Sequence, residues 1–288
     1  MAMNWAREGR QWPNRELSSF VTTRGNRWHI QRGGEGPRVL LLHGAGASTH
    51  TWRDILPLLT PDCEVLALDL PGQGFTTGRI PRYSLPYMAQ DIALLLSELK
   101  FEADVIVGHS AGAAIACRMA LSRQAAPKHI LAINGALLPF KGLAGAVFPG
   151  LAKMLSLNPL TGSLFARSAA APGAVHALLK GMGSDLDPIG QRLYERLLAT
   201  PEHVSATLAM MSRWDLAPLV EDLPQLRRPV TLAVGLRDRA VDPETSREAA
   251  GLLACATIEE HTDGGHLMHE EQPCTFSETI IRIASQGR

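Results

Sequence analysis

Six short runs, apolar at successive rather than alternate positions, set the limits on what this chain can fold into. They are Val39-Leu40-Leu41-Leu42, Val65-Leu66-Ala67-Leu68, Val105-Ile106-Val107, Ile130-Leu131-Ala132-Ile133, Val230-Thr231-Leu232-Ala233-Val234 and, less clearly, Ala256-Thr257-Ile258. A strand with no polar face must be covered on both sides, which is the condition of a parallel sheet between two layers of helices. The segments between the runs have the matching helical signals. Met88 to Leu99 repeats apolar residues at three- and four-residue spacing, and Ala111 to Leu121 does so with small residues. Asp242-Pro243-Glu244 supplies a cap, a first-turn proline and an acidic first turn for a helix running to Leu253. Ahead of the runs, Phe20 to Thr22 and Trp28 to Gln31 flank Arg24-Gly25-Asn26 and read as a hairpin. Strand–helix alternation of this kind predicts an open, doubly wound α/β sheet.

The rhythm breaks between Gly135 and Arg228, where about ninety residues carry no convincing strand. Helical patches at Val175–Leu179, Gln191–Leu198 and Val204–Met211 predict a helical cap over 136–227, inserted into a core made of 1–135 and 228–288. Its first half is rich in apolar residues, among them Leu137, Leu138, Phe140, Leu143, Val147, Phe148, Met154, Leu155 and Phe165. Packing within the cap is the plainer reading of that stretch. An apolar substrate gorge, or contact of Leu137 to Leu155 with a membrane surface, is the sharper one.

Composition is that of an ordinary globular chain of 288 residues, 45% hydrophobic and 19% charged. Lys+Arg and Asp+Glu balance at 28 each, which removes the basic excess expected of a nucleic-acid binder. Cys63, Cys117, Cys255 and Cys274 form no C-x-x-C pair and read as reduced, mostly buried thiols. Met1 to Asn14 lacks the apolar run of a signal peptide, and no later segment is long enough to span a bilayer, so the expected location is cytoplasmic, with the inner-membrane surface as an optional contact.

Gly108-His109-Ser110-Ala111-Gly112 follows the third apolar run and opens a helical one. Small-x-Ser-x-small at a strand-to-helix turn has a mechanical reason: the chain reverses so sharply that only small neighbours fit, and the serine hydroxyl is held clear of the sheet. A serine needs a base oriented by a third group. His266, in Gly264-Gly265-His266, is the predicted base, preferred over a reading as a surface-loop histidine. His261 and His269 flank it, but the three match no zinc-helix spacing, so no metal is expected. Gly235-Leu236-Arg237-Asp238 directly follows the Val230–Val234 run, and Asp238 is the predicted acid. Asp242 is better used as the helix cap, and Asn134 to Leu138, the other place for an acid, holds no carboxylate. His43-Gly44-Ala45-Gly46 supplies the second backbone donor of an oxyanion hole, so Ala45 and Ala111 are the predicted N–H pair. His43 reads first as structural. It joins His109, Leu137, Phe140 and Trp214 as residues expected near substrate. Asp69 to Thr76 reads as a tight structural loop at the same sheet edge.

With His-Gly, Gly-His-Ser-Ala-Gly, Gly-x-x-Asp and Gly-Gly-His in this order, the chain resembles the α/β-hydrolase superfamily from about Phe20 to Ile283. That resemblance implies a mostly parallel eight-stranded sheet, an inserted helical cap, a Ser110–His266–Asp238 triad and no organic cofactor. A narrower one rests on Trp12-Pro13-Asn14-Arg15-Glu16, Ala47 to Asp54, Asn134 to Phe140 and Met210 to Leu216, which look like the magnesium-chelatase accessory proteins of bacteriochlorophyll biosynthesis. It implies a hydrophobic substrate, with a tetrapyrrole as the candidate, and magnesium-chelatase subunits as partners. A non-catalytic porphyrin binder on a hydrolase scaffold is the alternative.

Overall fold

The apolar runs become the central strands of one sheet in a computed structural model that describes residues 3–78, 83–139, 161–169 and 171–286. β1 (Ser18–Thr23) and β2 (Asn26–Gly33) form the antiparallel hairpin. β3 (Arg38–Leu42), β4 (Glu64–Leu68), β6 (Val105–His109), β7 (His129–Ile133), β8 (Val230–Gly235) and β9 (Ala256–His261) run parallel to one another. The order is β1-β2-β4-β3-β6-β7-β8-β9, the eight expected strands, and the two-residue β5 (Thr77–Gly78) adds a ninth beside β2. β6 and β8 are buried along their whole length. β9, at the edge, is half exposed and carries Glu259, Glu260 and His261, which is why its signal in the sequence is weak.

Alternate residues of the strands feed two cores. Leu40, Leu42, Leu66, Leu68 and Ile106 pack against the helices Leu85–Glu98 and Ala111–Leu121. Val39, Leu41, Val65, Val105 and Val107 pack on the other face against Leu56, Leu59 and the helix Pro273–Ser285. That last helix has no counterpart among the expected ones, although Phe276, Ile280 and Ile283 mark one of its faces at helical spacing. The helix after Asp242 ends at Leu252, one residue short of the expected end. No disulfide joins the four cysteines; Cys63 and Cys117 are buried, but Cys255 and Cys274 are exposed, contrary to the expectation of mostly buried thiols.

Between β7 and β8 the described residues form the helices Thr161–Ala169, Ala174–Gly181, Pro188–Leu198, Pro201–Met211 and Ala217–Asp222. Three of these extend the anticipated patches by one to three residues at one or both ends. Ala217–Asp222, with six residues, is too short to stand out from sequence, and Thr161–Ala169 has no counterpart among the expected helices. The helices seat on the sheet body through two small apolar clusters. Val175, Leu179 and Tyr194 meet Ala47 and Leu267, and Leu193 and Leu197 meet Met3, Trp12 and Phe75. Phe140 and most of the apolar stretch from Leu137 to Leu155, with the membrane contact expected of it, lie outside the described residues. No helix among the described residues is long and apolar enough to cross a membrane.

The chain passes from β3 outward to β4, then returns across β3 to β6 and continues outward the other way. The order therefore reverses between β3 and β6. The crevice beyond the carboxyl ends of such a strand pair is where open α/β sheets place their ligands.

Candidate active site

Ser110 follows β6 at that reversal, with φ 51° and ψ −115°. A residue with a side chain adopts this conformation only under constraint from its surroundings. Here its N–H donates to the Ile133 carbonyl at 3.0 Å, and its own carbonyl accepts from Ala113 and Ala136 N–H groups, each at 3.1 Å. The flanking glycines are obligatory. A Cβ on Gly108 would lie 2.4 Å from the Ala113 nitrogen, and one on Gly112 would lie 2.2 Å from the Leu42 oxygen. Across the reversal, Gly44 brings the β3 loop so close that a Cβ there would stand 2.9 Å from His109 Nδ1 and 3.1 Å from Ser110 Cβ. Among the described residues, neither Ala45 N–H nor Ala111 N–H donates to a protein acceptor, and both residues line the cavity that Ser110 enters.

Asp238 and His266 meet after β8 and β9. His266 Nδ1–H donates to Asp238 Oδ2 at 2.8 Å, with both side chains nearly buried. Asp238 Oδ1 accepts from the Ala240 and Val241 N–H groups at 2.7 and 2.9 Å, so both carboxylate oxygens are held. Asp242 caps the next helix through the Glu244 N–H at 2.9 Å and takes no part in the site. Ser110, His266, Ala45 and Ala111 open onto one cavity of about 540 Å³, walled also by Met182, Met210, Met211, Trp214 and Leu216. That volume falls within the range of small-molecule sites.

Of the residues expected near substrate, Trp214 lines this cavity. Phe140 lies outside the described residues. His43, His109 and Leu137 do not line it. Leu137 is packed into the main core. His43 is fully buried: its Nε2 accepts from Leu70 N–H at 2.9 Å and its Nδ1–H donates to the Gly44 carbonyl at 2.7 Å, which makes it a brace for the β3 loop. Burial holds its pKa below the ordinary value, against the pull of Asp69. His109 Nε2–H donates to the His266 carbonyl at 2.9 Å, and burial together with repulsion from His269 and His266 keeps His109 neutral.

Sequence reasoning missed the residues that hold these loops. Asn134 enters it only as a position without a carboxylate. In the structure its Nδ2 donates to the Gly265 and His266 carbonyls at 2.8 and 3.0 Å, and its Oδ1 accepts from Gly235 N–H at 2.8 Å. One buried amide thus joins the ends of β7 and β8 to the histidine loop. Its φ of 44°, a conformation Asn tolerates better than most residues, has no counterpart in the local pattern. Met182 to Ser184 forms a second brace: the Met182 carbonyl accepts from His266 N–H at 3.3 Å, and Ser184 Oγ from Leu267 N–H at 2.8 Å. A third is the Asp69–Thr76 loop, as anticipated. Gln73 Oε1 accepts from Gly46 N–H at 2.7 Å, and Asp69 accepts from Thr49 and Phe75 N–H groups while pairing with His29 at 2.8 Å. Burial alone would raise the Asp69 pKa, but His29, His43 and the Phe75 N–H pull it down to about 2.

A strained serine at a strand-to-helix turn, an Asp–His pair on later loops and an unpaired N–H pair come together in this crevice, and the chain belongs to the alpha/beta hydrolase family, whose sequence profile matches residues 39–279. Within that family it is 41% identical to the magnesium-chelatase 30 kDa subunit of Rhodobacter capsulatus over 245 residues, 84% of this chain and 85% of that one. It is 25% identical to the pimeloyl-[acyl-carrier protein] methyl ester esterase of Vibrio atlanticus over 90% of this chain and 98% of that one. Among solved structures, an esterase from Exiguobacterium antarcticum superposes with a TM-score of 0.78 at 18% identity, covering 93% of this chain and all of that one, a likeness of fold.

Proposed function

We propose that this protein is a serine hydrolase that cleaves an ester of a hydrophobic substrate, and that it acts in magnesium-porphyrin metabolism beside magnesium-chelatase subunits. One observation carries the catalytic half: the 2.8 Å bond from His266 Nδ1–H to Asp238, on a histidine that shares a cavity with Ser110. The 41% identity to the Rhodobacter capsulatus subunit supports the metabolic half and makes a tetrapyrrole ester the candidate substrate. Residues 136–227 would act as a cap over the site.

Ser110 Oγ attacks the ester carbonyl while His266 Nε2 takes its proton, and Asp238 stabilises the imidazolium so formed. The carbonyl electron pair moves onto oxygen, where Ala45 and Ala111 N–H groups receive it. Collapse expels the alcohol with the proton from His266. A water molecule, deprotonated by the same histidine, then hydrolyses the acyl-enzyme and restores Ser110. The triad supplies nucleophile, base and charge stabilisation, so this cycle needs no cofactor.

The test is turnover of short-chain and porphyrin methyl esters by wild type and Ser110→Ala. Loss of kcat on the order of 10⁴-fold or more is expected in the variant; equal turnover by both proteins would refute the assignment. The name of the Rhodobacter capsulatus relative, a subunit rather than an esterase, favours a second reading in which the same shell binds a porphyrin without cleaving it. In that case a folded Ser110→Ala protein would restore pigment to a deletion strain.

A further inference from the structure

If Ser110 cleaves an ester, as the hydrolase reading has it, the wall of its cavity bears on the acid part of the substrate. Met210, Met211, Trp214 and Leu216 make the wall apolar, and methionine side chains adapt to the shape of what they enclose. Arg213 is the only arginine or lysine among the described residues that line it. Three other arginines near the sheet edge or the inserted helices have acids. Arg53 bonds Asp54 and Asp187, at 2.9 and 2.7 Å, Arg118 bonds Asp222 at 2.8 Å, and Arg237 bonds Asp263. Among the described residues no carboxylate pairs with Arg213. Its guanidinium carbon lies 6.0 Å from the Tyr83 ring centre, the outer limit of a cation–π contact. Asp215 also lines the cavity, but its Oδ1 accepts from Ala217 N–H at 3.0 Å and caps the next helix.

Arg213 is exposed at the rim of this apolar cavity, and a guanidinium there can meet a planar anion with two parallel hydrogen bonds from its fork of N–H groups. We infer that the substrate carries, apart from the ester cleaved at Ser110, a free carboxylate that Arg213 binds. A single cation with Asp215 two residues away matches one negative charge better than the two of a phosphate monoester. The substrate class is therefore a monoester of an apolar acid with at least two carboxyl groups. Arg213 would act as a specificity determinant that orients the ester toward Ser110.

The test separates binding from turnover. In the Ser110→Ala background, calorimetry compares the monomethyl and dimethyl esters of one long-chain dicarboxylic acid, which differ only in the free carboxylate. The monoester is expected to bind about three- to fivefold more tightly, as one exposed charge pair allows, and adding Arg213→Gln should bring the ratio close to one. Equal affinities in the Ser110→Ala protein, or a ratio unchanged by Arg213→Gln, would overturn the inference. Hydrolysis of both esters by wild type is read separately. Turnover without preference defeats the carboxylate site alone, and an Arg213-dependent preference without Ser110-dependent turnover defeats the hydrolase reading alone.

Discussion

Ser110 is held in an unfavourable backbone conformation by three hydrogen bonds and by two glycines that nothing larger could replace. This part of the site was legible in the sequence, because a turn so tight leaves a pattern of small residues at fixed spacing. Ala45, Asp238 and His266 were placed by the same logic, since each directly follows an apolar strand or a glycine pair. Asn134 was not legible. Its importance comes from what surrounds it after folding: two carbonyls of the histidine loop and one amide of the acid loop, from segments 101 to 132 residues away. Removing its amide strands those buried groups. Asn134→Ala should therefore lose about 1–3 kcal/mol of stability and lower kcat with little change in KM, because His266 is misplaced while the cavity wall is intact. Steady-state kinetics beside urea unfolding checks this, and a variant with wild-type kcat would show that Asn134 serves stability alone.

At the scale of elements, the inserted helices are tied to the body by a buried polar cluster that the sequence did not announce. Glu270, in the short helix after His266, accepts from Thr51 Oγ1 at 2.5 Å and from the Tyr194 hydroxyl at 2.7 Å. Tyr194 belongs to the helix Pro188–Leu198, whose cap Asp187 also bonds Arg53. Thr51 Oγ1 in turn accepts from His269 Nε2–H at 2.8 Å. Burial pushes the Glu270 carboxyl up to about 7, although Thr51, Tyr194 and Arg53 oppose the rise. The folded state thus holds a proton that the unfolded chain releases near pH 4.5, so this group lowers stability progressively as pH rises from about 4.5 to about 7. Glu270→Gln cannot titrate, and its stability relative to wild type should climb by about 3 kcal/mol across that window. Paired urea titrations at several pH values test it; a constant difference between the two proteins would sink the assignment. No local pattern marks such a cluster, because its members come from three separate segments. The helix Ala217–Asp222 escaped notice for a different reason, as too short to repeat a pattern.

For the whole molecule, the strands were legible in outline because strands buried on both faces must be apolar throughout, whereas their order, with the reversal between β3 and β6 where the site lies, is seen only in the folded sheet. Folding also buries several neutral histidines. Burial lowers His203 to about 4 and His269 to about 3, and it lowers His43, His50 and His109 as well. Unfolded histidine takes a proton near pH 6.5, which these native residues refuse, so their stability is complete above that pH and is lost as pH falls through about 4. Five such groups outweigh the opposing Glu270, and unfolding free energy should fall from pH 6.5 to pH 4. A flat profile over that interval would contradict the buried-histidine account. An activated Ser110 would be labelled covalently by a fluorophosphonate, which intact mass and peptide mapping read directly. One adduct is expected, on Ser110 and absent from Ser110→Ala; a wild-type protein that stays unlabelled, or a label that persists in the variant, would show that Ser110 is not the activated nucleophile.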